Sequence, residues 1–171
     1  MVSASAWVLL MAEEYWELEE LKDAKNWPFL TRKDLNKSAL FQGNTLRSIE
    51  RIKSEKVITE LFQQANVVTF LCLRCHWKLI PHLDFPVQMA VSVAKKKLKH
   101  ATDRNTAKRR IREAYRMQKH SLYQIALDKS LSIALMFIYL PNHVEDSKII
   151  AESVEKILAK IHKKLDATKT E

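Results

Sequence analysis

Between residues 55 and 64 the apolar positions Val57, Ile58, Leu61 and Phe62 recur with a helical period, and Ser54 stands where an N-cap belongs. A short amphipathic helix is expected there. Over residues 67–79 the period falls to two. Leu71, Leu73, Cys75 and Trp77 then share one face, and Phe70, Cys72, Arg74, His76 and Lys78 the other. That pattern predicts one long strand with a core face and a basic face. Pro81, His82, Leu83, Asp84 and Pro86 read as the turn into a second strand over 87–93. The helical period returns near Arg104, with Ala107, Ile111, Ala114 and Leu122 in one stripe and Asp103 as the expected cap. Residues 131–139, LSIALMFIY, are apolar on both faces, as a central strand is, and Pro141 and Asn142 close them. A last helix over 146–165 places Ile150, Val154, Ile157, Leu158 and Ile161 on its inner stripe.

The predicted order is α-β-β-α-β-α, a small α+β sandwich of one sheet and two or three helices. Residues 1–44 stand apart. Leu10, Glu14, Leu18 and Leu21 hint at a helix that Pro28 would end, and the single glycine, Gly43, marks a boundary. The expected division is therefore an extension over 1–44 and a domain over 45–171. The extension reads either as a partner-binding arm or, preferably, as a poorly ordered or wrongly assigned start.

Charge sharpens this division. The extension has seven acids against five bases, whereas the whole 171-residue chain carries +9. Residues 91–120 alone hold eleven of the 29 basic residues against two acids, Asp103 and Glu113. Along the predicted helix Lys108, Arg112 and Arg116 are four apart with Arg109 nearby, so like charges face each other at some cost unless a polyanion supplies the counter-charge. Nucleic acid is the expected partner. No apolar run is long enough to span a bilayer, and the apolar first ten residues lack the basic start of a secretory signal, so a cytoplasmic protein is expected.

Candidate chemistry is sparse. Cys72 and Cys75 form a CxxC, but three residues apart on a strand they face opposite ways, and no second pair completes a metal site. They read as structural. The six histidines lack i,i+4 ligand spacing, and no HExxH, glycine-rich phosphate loop or nucleophile elbow occurs. Glu113 reads as an ion-pair partner for Arg109 or Arg116. A nuclease in its own right would need carboxylates or histidines gathered around ions. A non-catalytic RNA-binding module such as a ribosome-associated protein and a DNA binder with residues 104–120 in a major groove both remain open at this level.

The stretch VSVAKKKLKHATDRNTAKRRIREAYR resembles the strand-end SVSKK and the following RNRxKRxxREAxR signature of the protein component of bacterial ribonuclease P, and RIKSEKVITELF resembles that family's opening segment. The likeness runs from about Arg47 to Leu165. It is closest in character to Bacteroidetes-type forms, with an apolar Ile58 and a strand carrying Leu73 and Arg74. Arg104, Asn105, Lys108, Arg109, Arg112 and Glu113 match signature positions, while Thr106 stands where the second signature arginine is expected, with Lys99 or Arg110 as possible substitutes. The resemblance implies a fold like domain 2 of ribosomal protein S5, with a left-handed crossover. It implies a subunit of an endoribonuclease that removes the 5′ leader from precursor tRNA, with the catalytic groups on the partner RNA. Neither catalytic nor metal-binding residues are then expected on this chain. It further implies no cofactor bound tightly by the protein, magnesium ions held by the RNA, and neither membrane nor DNA as a partner. Contacts to the catalytic RNA subunit are expected from Lys95, Lys96, Lys97, Lys99, Arg104, Asn105, Arg109, Arg110 and Arg116. Leader contacts are expected from Ile58, Phe62, Arg74, Lys108 and Arg112. Helical spacing alone suits Ile58 and Phe62 equally to a core.

Overall fold

The apolar segment near residue 131 becomes the spine of a sheet. In the computed structural model, which describes residues 45–81, 83 and 85–167, strand β4 (Ile133–Tyr139) is buried at every position but Ile138. The expectations for residues 1–44 lie outside the described residues, as do His82 and Asp84 of the expected turn. The other elements, in chain order, are α1 (Glu55–Gln63), β1 (Asn66–Phe70), β2 (Leu73–Leu79), β3 (Val87–Val93), α2 (Ala101–Gln118), α3 (His120–Asp128) and, after β4, α4 (Ser147–Ala167). The sheet order is β1-β2-β4-β3. β4 runs antiparallel to β2 and parallel to β3, and the chain between the parallel pair carries α2 and α3.

Strand alternation sends two sets of side chains to opposite faces. Ala134 and Met136 meet Leu61 of α1, Ile52 and Ile80 on one face. On the other, the Phe137 ring lies 6.0 Å from that of Tyr115 in α2, and α4 packs against α2, β1 and β2. The α4 stripe expected from sequence is buried throughout. The result is a mixed α+β sandwich, with one helix on one face and three on the other.

Two expected boundaries are corrected. The single strand over 67–79 is a hairpin, with Phe70 paired to Leu73 across a two-residue turn at Leu71 and Cys72. Leu71 adopts a left-handed φ of 42°, unusual for a residue with a γ-branched side chain. Nothing in the sequence punctuates this turn with glycine, proline or asparagine, so the alternation reads straight through it. Phe70 consequently shares a face with Leu73 rather than with Arg74. The basic helix begins at Ala101, with His100 and not Asp103 at the cap position, and Asp103 instead sits in the first turn, where a carboxylate complements the helix dipole. The helix also breaks at Lys119, so Leu122 belongs to α3.

Lys119 is only 2% exposed, and its ammonium lies 2.7 Å from the fully buried Glu50 carboxylate and 2.7 Å from the Thr45 carbonyl oxygen. The Tyr123 hydroxyl donates to the same carboxylate at 2.9 Å. Burial, reinforced by the charge of Glu50, pushes the Tyr123 hydroxyl far above the usual tyrosine range, so it remains a donor. This cluster fastens residues 45–50 to the α2–α3 joint. Residues 49–52 then cover the outer edge of β3, where Ile52 donates to the Met89 carbonyl at 3.0 Å and Gln88 to that of Ile49 at 2.9 Å.

Candidate nucleic-acid interface

The basic run opens where β3 ends. In residues 94–100 Lys95, Lys96, Lys97 and Lys99 are exposed, while Leu98 is buried and anchors the loop to the core. Arg104, in the first turns of α2, folds back on this loop: its guanidinium donates to the carbonyl oxygens of Leu98 at 2.9 Å and Lys99 at 2.6 Å. A planar fork suits two adjacent acceptors. Arg104 thus holds the shape of the lysine loop.

The helix period divides the other cations of α2 between two flanks. One meets α4 and the segment before it, where Gln118 donates to the Ala151 carbonyl and Arg110 to that of Glu145. The opposite flank carries exposed Asn105 with half-buried Lys108 and Arg112. Arg109 is exposed. Arg116 pairs with Glu113 at 2.9 Å, chiefly through a hydrogen bond that holds the Glu113 carboxyl below its ordinary range. The remaining cations expected to touch RNA form no ion pair among the described residues. At the departure from the signature, the Thr106 hydroxyl is spent on the Thr102 carbonyl at 3.0 Å. Of the two expected substitutes, Arg110 is turned to the Glu145 carbonyl and Lys99 is exposed.

On the other face of the sheet α1 leaves a shelf. The register places Thr69, Arg74, Ile138 and Ser92 in one cross-strand row, exposed or half-buried along its length. In the next row, exposed Val67 and half-buried His76 precede Met136 and Ala90. Phe62 overhangs this shelf, 54% exposed, with its ring centroid 5.7 Å from that of His76. His76 Nδ1 lies 3.2 Å from the Leu61 carbonyl oxygen and fixes the imidazole beneath Phe62. Ile58 behaves differently. It packs half-buried against the Leu61, Ile80 and Met136 cluster, so the tie that helical spacing leaves between core and surface is resolved one way for each residue.

The structure therefore gathers Ile58, Phe62 and Arg74 around one face, whereas Lys108 and Arg112 project from a helix packed on the other. The basic loop stands at the end of the shelf, because it follows Ser92 and Val93 directly. His76 is the shelf residue that sequence reasoning missed. Its place beside Arg74 on the basic face of the alternation was the available signal.

The cysteines are both free and buried. Cys72 lies in the hairpin turn with its sulfur 3.2 Å from the Ser153 hydroxyl, and burial raises both thiols above their ordinary range. Neither is poised as a thiolate. Among the described residues no helix is long and apolar enough to cross a membrane.

A small α+β sandwich that displays an anchored lysine loop, a cationic helix flank and an aromatic over an open sheet face has the form of an RNA-binding protein. The Ribonuclease P family model matches residues 46–162, and the chain belongs to that family. The ribonuclease P protein component of Porphyromonas gingivalis is 29% identical over 117 residues, covering 68% of this chain and 85% of that protein. The corresponding protein of Chlorobium phaeobacteroides is 25% identical over 129 residues, covering 69% and 88%. Among solved structures, the Staphylococcus aureus RNase P protein superposes with a TM-score of 0.50 at 22% identity over 66% of this chain and 94% of that one, a likeness of fold.

Proposed function

We propose that this chain, as the protein component of ribonuclease P, binds the catalytic RNA and the 5′ leader of precursor tRNA and leaves bond cleavage to the RNA and the magnesium ions held there. The lysine loop and the outer surface of α2 grip the folded RNA. The single-stranded leader lies on the shelf, a base against Phe62 and phosphates near Arg74, with Lys108 and Arg112 reached beyond the β3 side. One observation carries the reading: a row of displayed cations, apart from Arg116 and Arg109 beside Glu113, forms no ion pair with carboxylates of the described chain. Such a row has a large counterion-release term to gain from a polyphosphate. The experiment is reconstitution with a bacterial ribonuclease P RNA at low magnesium. Stimulated removal of the 5′ leader is expected, and absence of stimulation would sink the assignment.

The shelf has its own test. Stacking of a base on an aromatic side chain contributes about 1–3 kcal/mol. Phe62→Ala should therefore raise KM for leader-bearing precursor roughly tenfold while leaving affinity for the RNA subunit alone. Equal losses in both, accompanied by a lower Tm, would instead mark Phe62 as structural.

A further inference from the structure

A second cationic surface lies at the opposite edge of the sheet. There β1 and the C-terminal half of α4 enclose a groove lined by Val67, Thr69, Lys160, Lys163 and Lys164. Lys160 and Lys163 are exposed and form no ion pair among the described residues. The Lys160 ammonium stands 5.3 Å from the centroid of the Phe70 ring, which holds it on the β1 side. By the helical period Lys156, Lys160 and Lys164 follow one another along one flank of α4 with Lys163 beside them; Glu152 begins that flank, and Lys163 also borders the cavity that Glu155 and Asp166 line on the next. Asp166 is engaged there with Lys129 and His162. Lys160 and Lys163, close together in the C-terminal half of α4, repel each other in the isolated protein, and a polyanion relieves that repulsion.

The groove is continuous with the shelf. Val67 and Thr69, which line it, are also the β1 members of the two cross-strand rows, and Thr69 is one end of the open row whose other end, Ser92, leads into the lysine loop. Three interstrand spacings, roughly 14 Å, separate those ends. We propose that the β1–α4 groove takes the phosphodiester backbone of the single strand that has crossed the shelf, namely the far 5′ portion of a long leader. The direction follows from the proposed function, on which this inference rests. The lysine loop and α2 face the catalytic RNA, so the end of the leader nearest the cut lies there and the remoter nucleotides leave across β1. Charge selects a nucleic-acid backbone in preference to another protein's strand pairing with β1, since backbone pairing by itself brings the lysines no counter-charge, whereas every nucleotide brings one.

The test uses the reconstituted holoenzyme and two precursor tRNAs, one with a leader just long enough to cover the shelf and one several nucleotides longer. The wild-type protein should bind the longer leader more tightly, with a steeper salt dependence. Lys160→Gln with Lys163→Gln removes two charges but keeps most of each stem. That variant should lose the length-dependent gain, lowering the slope of log affinity against log salt by about 1.4 for the long leader, at roughly 0.7 per single-strand phosphate, and leave the short leader unchanged. Equal weakening of both substrates would assign the lysines to the tRNA body or the catalytic RNA and overturn the proposal, as would no change in either. A wild-type protein indifferent to any leader would fail the shelf reading itself, a distinct outcome. An unchanged melting curve verifies the fold of the variant.

Discussion

Lys119→Met should lower the melting temperature by 10 °C or more. The side chain is of similar length, so little packing is lost. What disappears is the positive charge beside a carboxylate that is completely shielded from water. Removing one partner of a buried ion pair costs about 3–5 kcal/mol, because the other charge stays buried without compensation. In a domain of this size each kcal/mol corresponds to roughly 4 °C. Tyr123 still donates one hydrogen bond to Glu50, but the contact from Lys119 to the Thr45 carbonyl goes as well. Pairing Lys119→Met with Glu50→Gln removes the stranded charge and should recover much of the loss. Thermal denaturation followed by circular dichroism measures both variants. A single variant that melts within about 3 °C of the wild type would show that the cluster contributes little. The RNA-binding surface should feel the change too, because Lys119 terminates the helix that presents Lys108 and Arg112.

Lys108→Ala combined with Arg112→Ala should leave stability within about 0.5 kcal/mol of the wild type, as surface changes usually do. The same variant should reduce the salt slope of precursor binding by between about 1.4 and 1.8, the values for two phosphate contacts to a single strand and to a duplex. The two side chains share the α2 flank turned away from α4 and have no carboxylate partner among the described residues. Their charges are therefore available to a ligand, and their mutual repulsion eases when they go. Filter binding across a salt series would measure this, and an unaltered slope would remove both residues from the interface. Arg104 should not behave as a simple third phosphate contact. Its guanidinium is committed to the Leu98 and Lys99 carbonyls, so its loss acts through the shape of the lysine loop.

Where a segment's own periodicity decided its burial, the sequence was enough to read it. β4 and α4 sit where their apolar patterns place them, and the basic run lies on the strand end and helix expected of it. The hairpin at Leu71 was hidden because a two-residue turn without glycine, proline or asparagine keeps the alternation running. The break at Lys119 was hidden for another reason. A lysine in a basic helix reads as solvent-exposed until Glu50, 69 residues earlier, is brought against it.

The same distinction holds for the site. Composition and spacing determined that residues 91–120 would present a polycation, since charge on a helix flank is a local property. The Arg116–Glu113 pair was legible too, as a local helix pair, whereas the turn of Arg110 to the distant Glu145 carbonyl was a tertiary decision. Phe62 is displayed and Ile58 is packed because α1 covers only part of the sheet, and the lysines of α4 adjoin the shelf because β1 is an edge strand beside that helix. Such facts depend on which distant surfaces meet, and the local pattern of a chain carries no record of them.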